Sequence, residues 1–287
     1  MSFDSPKPLI LPLFADTVKS GWSWERLDNI AEVFDCPHST PQVVDDHSAP
    51  FVVRSQDVRT GTILLENTAK VSLATYQERI KRVEPRFGDL VYSREGTYFG
   101  IAAEVPSGIK VCLGQRMVLI RPDASKINHE FLKYWLNSPL IFGHVHGFRD
   151  GTVAERLNLP LIRGLAVAFP ALAEQREIAE VLSAFDDRFA LLRETNTTLE
   201  AITQAQFKSW FVDFEPVRAK QEGREPEGMN ADTAALFPDS FEESELGLVP
   251  KGWKVKSLDT IAEYLNFSST VQAGLLGVTS CNYIAVL

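Results

Sequence analysis

The chain has 287 residues, a net charge of −9, and a composition that is 45% hydrophobic and 23% charged. These values are typical of a globular protein with one large or two ordinary domains. No run of ~18 apolar residues occurs, so we predict no membrane-spanning segment, and residues 1–12 make a poor signal peptide. The three cysteines are far apart, with no Cys-x-x-Cys and no histidine at zinc-ligand spacing. We therefore expect a cytoplasmic, reduced protein without a structural metal.

The negative charge is confined to the second part of the chain. Residues 1–171 contain 19 basic and 19 acidic side chains, whereas residues 172–287 contain 10 and 19. A neutral domain can still present a basic face, because the neutralisation of phosphates depends on local charge. The net charge therefore argues only weakly against a nucleic-acid partner.

In chain order, residues 1–171 combine short strands with few helices, punctuated by glycine and proline. The pattern predicts helices at 24–33 and 128–138, and strands at 50–53, 61–65, 89–92, 100–105 and 116–121. This mixture indicates an α+β domain.

Residues 172–209 read as one long helix. Its seam positions follow the 4-3-4-3 spacing of a coiled coil, six of them apolar and one, Asn196, polar: Ile178, Leu182, Phe185, Phe189, Leu192, Asn196 and Leu199. At 1.5 Å per residue the helix would be about 55 Å long, so we expect a coiled-coil partner, with Asn196 fixing the register. The alternative is a long core helix packed on its own domain.

A duplication relates the two ends of the chain. Residues 21–32 and 252–263 share seven identities, each at an offset of 231 residues, which indicates a repeated domain. We expect four parts: an α+β domain at 1–171, the long helix at 172–215, a linker at 216–251, and the start of a second domain at 252–287. That last part is too short to bury its own core.

Several strings together resemble the specificity subunits of type I restriction–modification systems, over residues 20–264. They lie at residues 35–41, 88–97, 113–117, 157–160, 173–179, 207–220, 237–238 and 252–253. The resemblance implies two target recognition domains that each read half of a split DNA site, with conserved helices setting the spacing between them.

The same resemblance implies the partners. These would be double-stranded DNA, methyltransferase subunits that grip the long helix, and a restriction subunit. This chain would need no cofactor, since S-adenosylmethionine, ATP and Mg²⁺ would belong to the partner subunits. Residues 267–287 depart from the first copy, which we interpret as a truncation or a shifted frame. The long helix would then pair with a second copy of the chain, giving a homodimer with two-fold symmetry.

Base reading requires hydrogen-bonding side chains in loops, because arginine can bind guanine and glutamine can bind adenine through two hydrogen bonds each. The candidate DNA-binding residues are Arg54, Gln56, Arg59, Ser93, Arg94, Thr97, Tyr98, Arg116, His144, His146, Arg149, Thr152 and Arg156. A basic run at Arg79, Lys81, Arg82 and Arg86 is interpreted as a solvated face.

We assign no catalytic residue to the chain. It contains no phosphate-binding Gly-x-x-x-x-Gly-Lys-Ser/Thr loop, no Gly-x-Gly-x-x-Gly and no Asn-Pro-Pro-Phe/Tyr motif. Two alternatives stay open. One is a metal-dependent nuclease using Asp35 and His38, although residues 35–41 are better explained as a loop capped by its own polar side chains. The other is a coiled-coil scaffold without a DNA role.

Overall fold

A computed structural model describes residues 18–96, 98–147, 157–245, 247–254 and 256. The chain divides into two units, one within residues 1–190 and one within residues 191–287. Helices and strands are mixed throughout the first unit, which confirms the predicted α+β class. Among the described residues, no helix is long and apolar enough to cross a membrane.

In the described part of the first unit the chain forms twelve strands. They are β1 (Ser23–Arg26), β2 (Ala31–Asp35), β3 (Val43–Val44), β4 (Phe51–Val53), β5 (Val58–Arg59), β6 (Thr62–Ile63), β7 (Lys70–Val71), β8 (Leu90–Ser93), β9 (Ala102–Glu104), β10 (Val111–Leu113), β11 (Met117–Pro122) and β12 (Ala166–Phe169). The central sheet is antiparallel in the order β2-β11-β8-β9, and a second sheet has the order β10-β4-β7-β3. Two further pairs are β1–β12 and β5–β6.

Helices cover one face of the central sheet. These helices are α1 (Leu27–Ile30), α3 (His129–Leu136), α4 (Pro139–Gly147), α5 (Leu159–Arg163) and the beginning of α6 (Leu172–Phe207). Helix α2 (Leu73–Arg79) instead packs against the second sheet through Tyr76. Turns of 3-10 helix lie at Ser55–Asp57 and Leu65–Asn67. On α3 the Asn128 side chain accepts a hydrogen bond from the amide of Phe131, as an N-cap does. The helix predicted at 128–138 is confirmed.

The central sheet is buried on both faces. Along β11, Val118 and Ile120 join the core beneath the helices, while Met117 and Leu119 join a second core beneath the smaller strands. All four residues are fully buried. A strand covered on both faces reads as a continuous apolar run, which explains why this segment shows no polar alternation.

The helix predicted at 24–33 is wrong. Most of this segment is extended: β1 pairs antiparallel with β12, and β2 pairs with β11, leaving only the four residues of α1 helical. The partners of β1 lie more than 140 residues away in sequence. Pairing at that distance overrides the local preference, because burial and ladder hydrogen bonds outweigh weak propensities.

The long helix is confirmed as α6, followed by one π-helical turn at Lys208–Val212. Its beginning packs on the first unit through Gln175, Ile178 and Ala179. Every residue from 184 to 207 is exposed. The alternative of a core helix packed along its length on its own domain is therefore wrong for this stretch.

The segment expected to be a linker contains regular structure. It holds α7 (Glu215–Gln221), α8 (Ala231–Ala235), β13 (Phe241–Ser244) and β14 (Gly247–Pro250). Aromatic rings pack within about 6 Å of one another to form its core: Phe207, Trp210, Phe211, Phe214, Phe237, Phe241 and Trp253. Four of these rings lie within residues 207–214 and three lie at 237, 241 and 253, beyond a Glu-, Gly- and Pro-rich stretch, so no periodicity joins the two groups. The repeat beyond residue 256 lies outside the described residues.

Candidate nucleic-acid interface

The candidate site lies at one end of the central sheet. Strand β2 ends at Asp35, β8 ends at Ser93, and β11 begins at Met117, with Asp35 paired to Val118 and Ser93 paired to Met117. The antiparallel register thus brings three loops together. We call the surface made by residues 35–41, 54–59, 94–96, 98–100, 113–116 and 142–147 the loop face.

Contacts across these loops hold the loop face together. The Arg94 Nη1 atom lies 3.2 Å from Asp35 Oδ1, and the Arg94 amide donates to the Arg116 carbonyl. Gln115 Nε2 donates to the carbonyl of His38 at 2.6 Å. Because Asp35 Oδ1 also accepts from the Cys36 amide at 2.9 Å, the structure supports the reading of residues 35–41 as a capped loop.

Arg59 and Gln56 are the candidate readers in the second loop. The Arg59 guanidinium carbon lies 4.0 Å from the centroid of the Tyr98 ring, and its Nη1 donates to the carbonyls of Gln56 and Val58. No carboxylate in the described part of the chain neutralises this guanidinium. Gln56 is exposed beside it, so the pair offers one amide and one guanidinium whose charge no carboxylate among the described residues compensates.

Arg54 lies in the same loop but is already engaged. Its Nε is 3.0 Å from Oδ2 of the buried Asp57, and its Nη2 donates to Oδ1 at 3.2 Å. Binding a phosphate or base with Arg54 would leave a buried carboxylate without its partner, which is costly. Arg54 is therefore a weaker candidate than Arg59.

Arg116 projects from the loop before β11. Its backbone has a positive φ of 68° and its side chain is 56% exposed, with Nε 3.3 Å from Glu95 Oε1. An exposed ion pair contributes at most about 1 kcal/mol. A DNA phosphate could therefore displace Glu95 at little cost, and Arg116 is a good candidate for a backbone contact.

The two candidate histidines lie at the end of α4. His146 stacks against Phe142 and Phe99, with ring centroids 3.8 Å and 4.2 Å away. The Nδ1 atom of His146 is 2.9 Å from the Phe142 carbonyl. His144 is half-buried, and burial lowers its pKa. Both rings are thus partly used in packing, leaving the outer face of this aromatic stack for contacts.

The side chains of two candidate residues are not exposed on the loop face. The Ser93 side chain is fully buried in β8, and Arg94 is only 11% exposed and paired with Asp35. Ser93 is buried because β8 is covered on both faces up to its last residue, and Arg94 follows it directly. Thr97, Arg149, Thr152 and Arg156 lie outside the described residues.

Only part of the basic run that we predicted to be a solvated face is exposed to solvent. Lys81, Arg82 and Arg86 are exposed, but Arg79 is buried. Its Nε donates to the Leu113 carbonyl at 2.8 Å and its Nη1 to the Ser39 carbonyl at 3.1 Å. Arg79 thus supports the loop face from beneath, a role that no local pattern signals, since both acceptors are backbone atoms far along the chain.

The geometry does not favour catalysis at Asp35 and His38. The Asp35 carboxylate is held by Arg94, while His38 Nε2 lies 3.6 Å from it on an exposed ring. Burial raises the pKa of the neighbouring Cys36 thiol, which disfavours the reactive thiolate.

Possible metal ligands come together elsewhere in the described ranges, at Glu104, His129 and Glu130. The Lys133 ammonium lies 3.6 Å from Glu104, and His129 Nε2 lies 3.0 Å from the same carboxylate. The hydrogen bond to Glu104 raises the pKa of His129 although burial opposes it. The Lys133 ammonium already lies against the Glu104 carboxylate and would repel a metal cation, so we assign no metal to this group.

These features define a recognition module: a rigid sheet end that presents polar side chains, followed by a helix with an exposed apolar seam. Residues 20–201 match the family described as the type I restriction modification DNA specificity domain. That match covers more than half of the sequence, and the chain belongs to this family.

Relatives in the family are similar over part of their length. The chain is 27% identical to the type I restriction enzyme HindI specificity subunit of Haemophilus influenzae over 223 residues, covering 62% of this chain and 48% of that one. It is also 27% identical to the MjaIX specificity subunit of Methanocaldococcus jannaschii over 143 residues, covering 50% and 29%. The chain thus spans about half the length of the first relative, and less of the second.

A solved structure is also similar. The type I restriction–modification S subunit from M. genitalium matches with a TM-score of 0.47 and 16% identity, covering 70% of this chain and 49% of that one.

Proposed function

We propose that this chain reads one half of a split DNA site with its loop face, as the sequence-recognising part of a type I restriction–modification complex. The observation that carries the proposal is the position of Arg59, Gln56 and Arg116 on one surface of a domain from the specificity family. Arg59 and Gln56 have the chemistry to read base edges, and Arg116 suits a phosphate.

Replacing Arg59 by alanine should relax the recognised sequence at one base position. The binding free energy for the DNA site that the wild type recognises should weaken by about 1–3 kcal/mol, because a charge-assisted pair of hydrogen bonds to one base is removed. The measurement is the affinity of the assembled complex for duplexes carrying each single-base change. Arg193→Ala, an exposed helical arginine, is the control. A loss of affinity that is equal for all sequences would mean that Arg59 contacts a phosphate.

We also propose that the exposed seam of α6 pairs with a second copy of the chain. Phe185, Phe189 and Leu199 are 59%, 56% and 55% exposed, and large apolar side chains in heptad spacing are typical of a helix that has a partner. A two-fold dimer would place two loop faces on one DNA molecule, so the recognised site would be split and symmetric.

Substituting both Phe185 and Phe189 by serine should convert a dimer into a monomer. Aromatic side chains at the centre of an interface each contribute about 2–4 kcal/mol, so dissociation should become at least about 100-fold easier. Sedimentation equilibrium measures this directly. Leu191→Ser changes an apolar residue that is 57% exposed on the same helix but off the seam, and it should leave the dimer intact. A wild-type chain that sediments as a monomer would end the dimer proposal.

The chemistry of the complex is assigned to other subunits. In this proposal methyltransferase subunits with S-adenosylmethionine modify adenine, and a restriction subunit with ATP and Mg²⁺ cleaves, while this chain has no catalytic centre or cofactor. The two described cysteines, Cys36 and Cys112, are buried and unpaired, consistent with a reducing cytoplasm.

The decisive experiment is co-purification of the chain with a methyltransferase subunit, followed by mapping of methylated adenines at single-base resolution. Methylation in a split, symmetric motif would support both the reader and the dimer. If the complex forms but DNA stays unmethylated, the proposed role in reading DNA is refuted, whereas binding of the chain to the methyltransferase subunit is still supported. If no complex forms and no DNA binds, the scaffold alternative gains weight, and metal-dependent cleavage lost in His38→Ala would support the nuclease alternative.

A further inference from the structure

A separate cavity lies at the opposite end of the central sheet from the loop face. Strand β8 runs from Leu90, beside this cavity, to Ser93 at the loop face, a distance of about 10 Å at strand rise. The cavity has a volume of about 200 Å³, and charged side chains at its wall include Arg86, Asp89, Arg121 and Arg176. It is smaller than the roughly 300–1,000 Å³ pockets that take drug-sized ligands.

The charges around this cavity do not balance. Three guanidinium groups face a single carboxylate, and both oxygens of that carboxylate are occupied. Asp89 Oδ1 accepts from Arg121 Nε at 2.8 Å, and Oδ2 accepts from Arg121 Nη2 at 2.7 Å and from the Arg86 amide at 2.9 Å. Asp89 and Arg121 therefore neutralise each other.

The remaining two arginines carry uncompensated charge. Within the described ranges, the side chains of Arg86 and Arg176 make no ion pair or hydrogen bond, and both residues are exposed. They come from different elements, the turn before β8 and the first turns of α6, yet both line the same cavity. Two like charges facing one small cavity repel each other unless an anion lies between them.

The wall offers further support for an anion. Helix α3 starts at the cavity with Asn128 and His129, so the positive end of its dipole is directed there. Guanidinium groups match tetrahedral oxyanions because their planar N–H forks bind two oxygens at once.

We propose that the cavity between Arg86 and Arg176 binds a phosphate group, either from the DNA backbone or from free phosphate. The site is independent of base reading by the loop face. It would place a bound phosphate where the long helix leaves the domain, since Leu172 and Arg176 are its α6 residues.

The test compares the intact chain with the double variant Arg86→Gln/Arg176→Gln, using Arg82→Gln as a matched control. Inorganic phosphate should raise the Tm of the wild type and of Arg82→Gln above the value in chloride of equal ionic strength, because a ligand of the folded state stabilises it. Isothermal titration should show a loss of about tenfold in phosphate affinity for each arginine removed. Circular dichroism of the double variant checks that the fold is unchanged, as expected for exposed side chains without partners.

Two results would overturn the proposal: phosphate stabilises the wild type no more than chloride does, or it stabilises the double variant equally. The source is distinguished by the salt dependence of DNA binding. If a backbone phosphate occupies the cavity, the slope of log K against log salt should fall by about 0.9 in the double variant. An unchanged slope identifies free phosphate as the ligand, provided that phosphate stabilises the wild type and no longer stabilises the double variant. Failure of DNA binding altogether would refute the reading role of the loop face and leave the phosphate titration interpretable.

Discussion

Replacing Asp89 by alanine is expected to lower the free energy of unfolding by about 3 kcal/mol. Its side chain is 2% exposed and accepts two hydrogen bonds from Arg121 and one from the Arg86 amide. Breaking a buried ion pair by removing one partner typically costs 3–5 kcal/mol, because the other charge stays behind uncompensated. We place the value at the lower end, since Arg121 is 19% exposed and water can reach it.

Urea unfolding of Asp89→Ala, Arg121→Ala and the double variant measures this loss and isolates the interaction between the two residues. The double variant should cost less than the two single changes together, because no uncompensated charge is left in it. Asp45→Ala, an exposed aspartate, should change stability by less than about 0.5 kcal/mol. A loss below about 1 kcal/mol for Asp89→Ala would show that the pair contributes little.

Replacing Gln175 by alanine is expected to have the second large effect, lowering the free energy of unfolding by about 2–4 kcal/mol. Gln175 is fully buried, and its Oε1 accepts from the Asn128 amide at 2.8 Å. Its Nε2 donates to the carbonyls of Pro170 at 2.9 Å and Lys126 at 3.2 Å. Each buried polar group left without a partner costs about 1–3 kcal/mol, and the smaller side chain also leaves a cavity.

Hydrogen exchange should localise the effect of this substitution. Amides in the first two turns of α6 and at Asn128 should exchange faster in Gln175→Ala, while those of β8 stay protected, because only the attachment of the helix is weakened. Gln204→Ala, on the exposed part of the same helix, should be close to neutral. Equal effects of the two substitutions would show that Gln175 does not anchor the helix.

The parts of the fold that were predicted correctly rest on local patterns. The helix α6 was visible because its heptad spacing extends over six turns, and α3 because its cap and apolar face are contiguous in sequence. Strands such as β8 and β11 are short apolar runs bounded by turn residues. The error at β1 arises because its partner β12 lies far along the chain. In the expected linker, β13 and β14 pair with each other, and Phe237 and Phe241 pack on rings at 211 and 214.

The candidate site shows the same division. The loops that carry Arg54, Arg59 and Arg116 could be named from the sequence, because arginine and glutamine beside turn residues suit base and phosphate contacts. The sequence could not show which of these side chains is available to contact DNA. Arg54 is engaged by Asp57, Arg94 by Asp35, and the Ser93 hydroxyl faces the core.

The sequence by itself thus determined the α+β class, the long helix with its apolar seam, and the family. These depend on periodicity, composition and short strings that are contiguous along the chain. Only the tertiary structure decided that Arg59 has no carboxylate partner among the described residues, that Arg79 and Gln175 are buried supports, and that Arg86 and Arg176 share one cavity. The physical reason is that burial and ion pairing join residues tens of positions apart, whereas local propensity acts over a few.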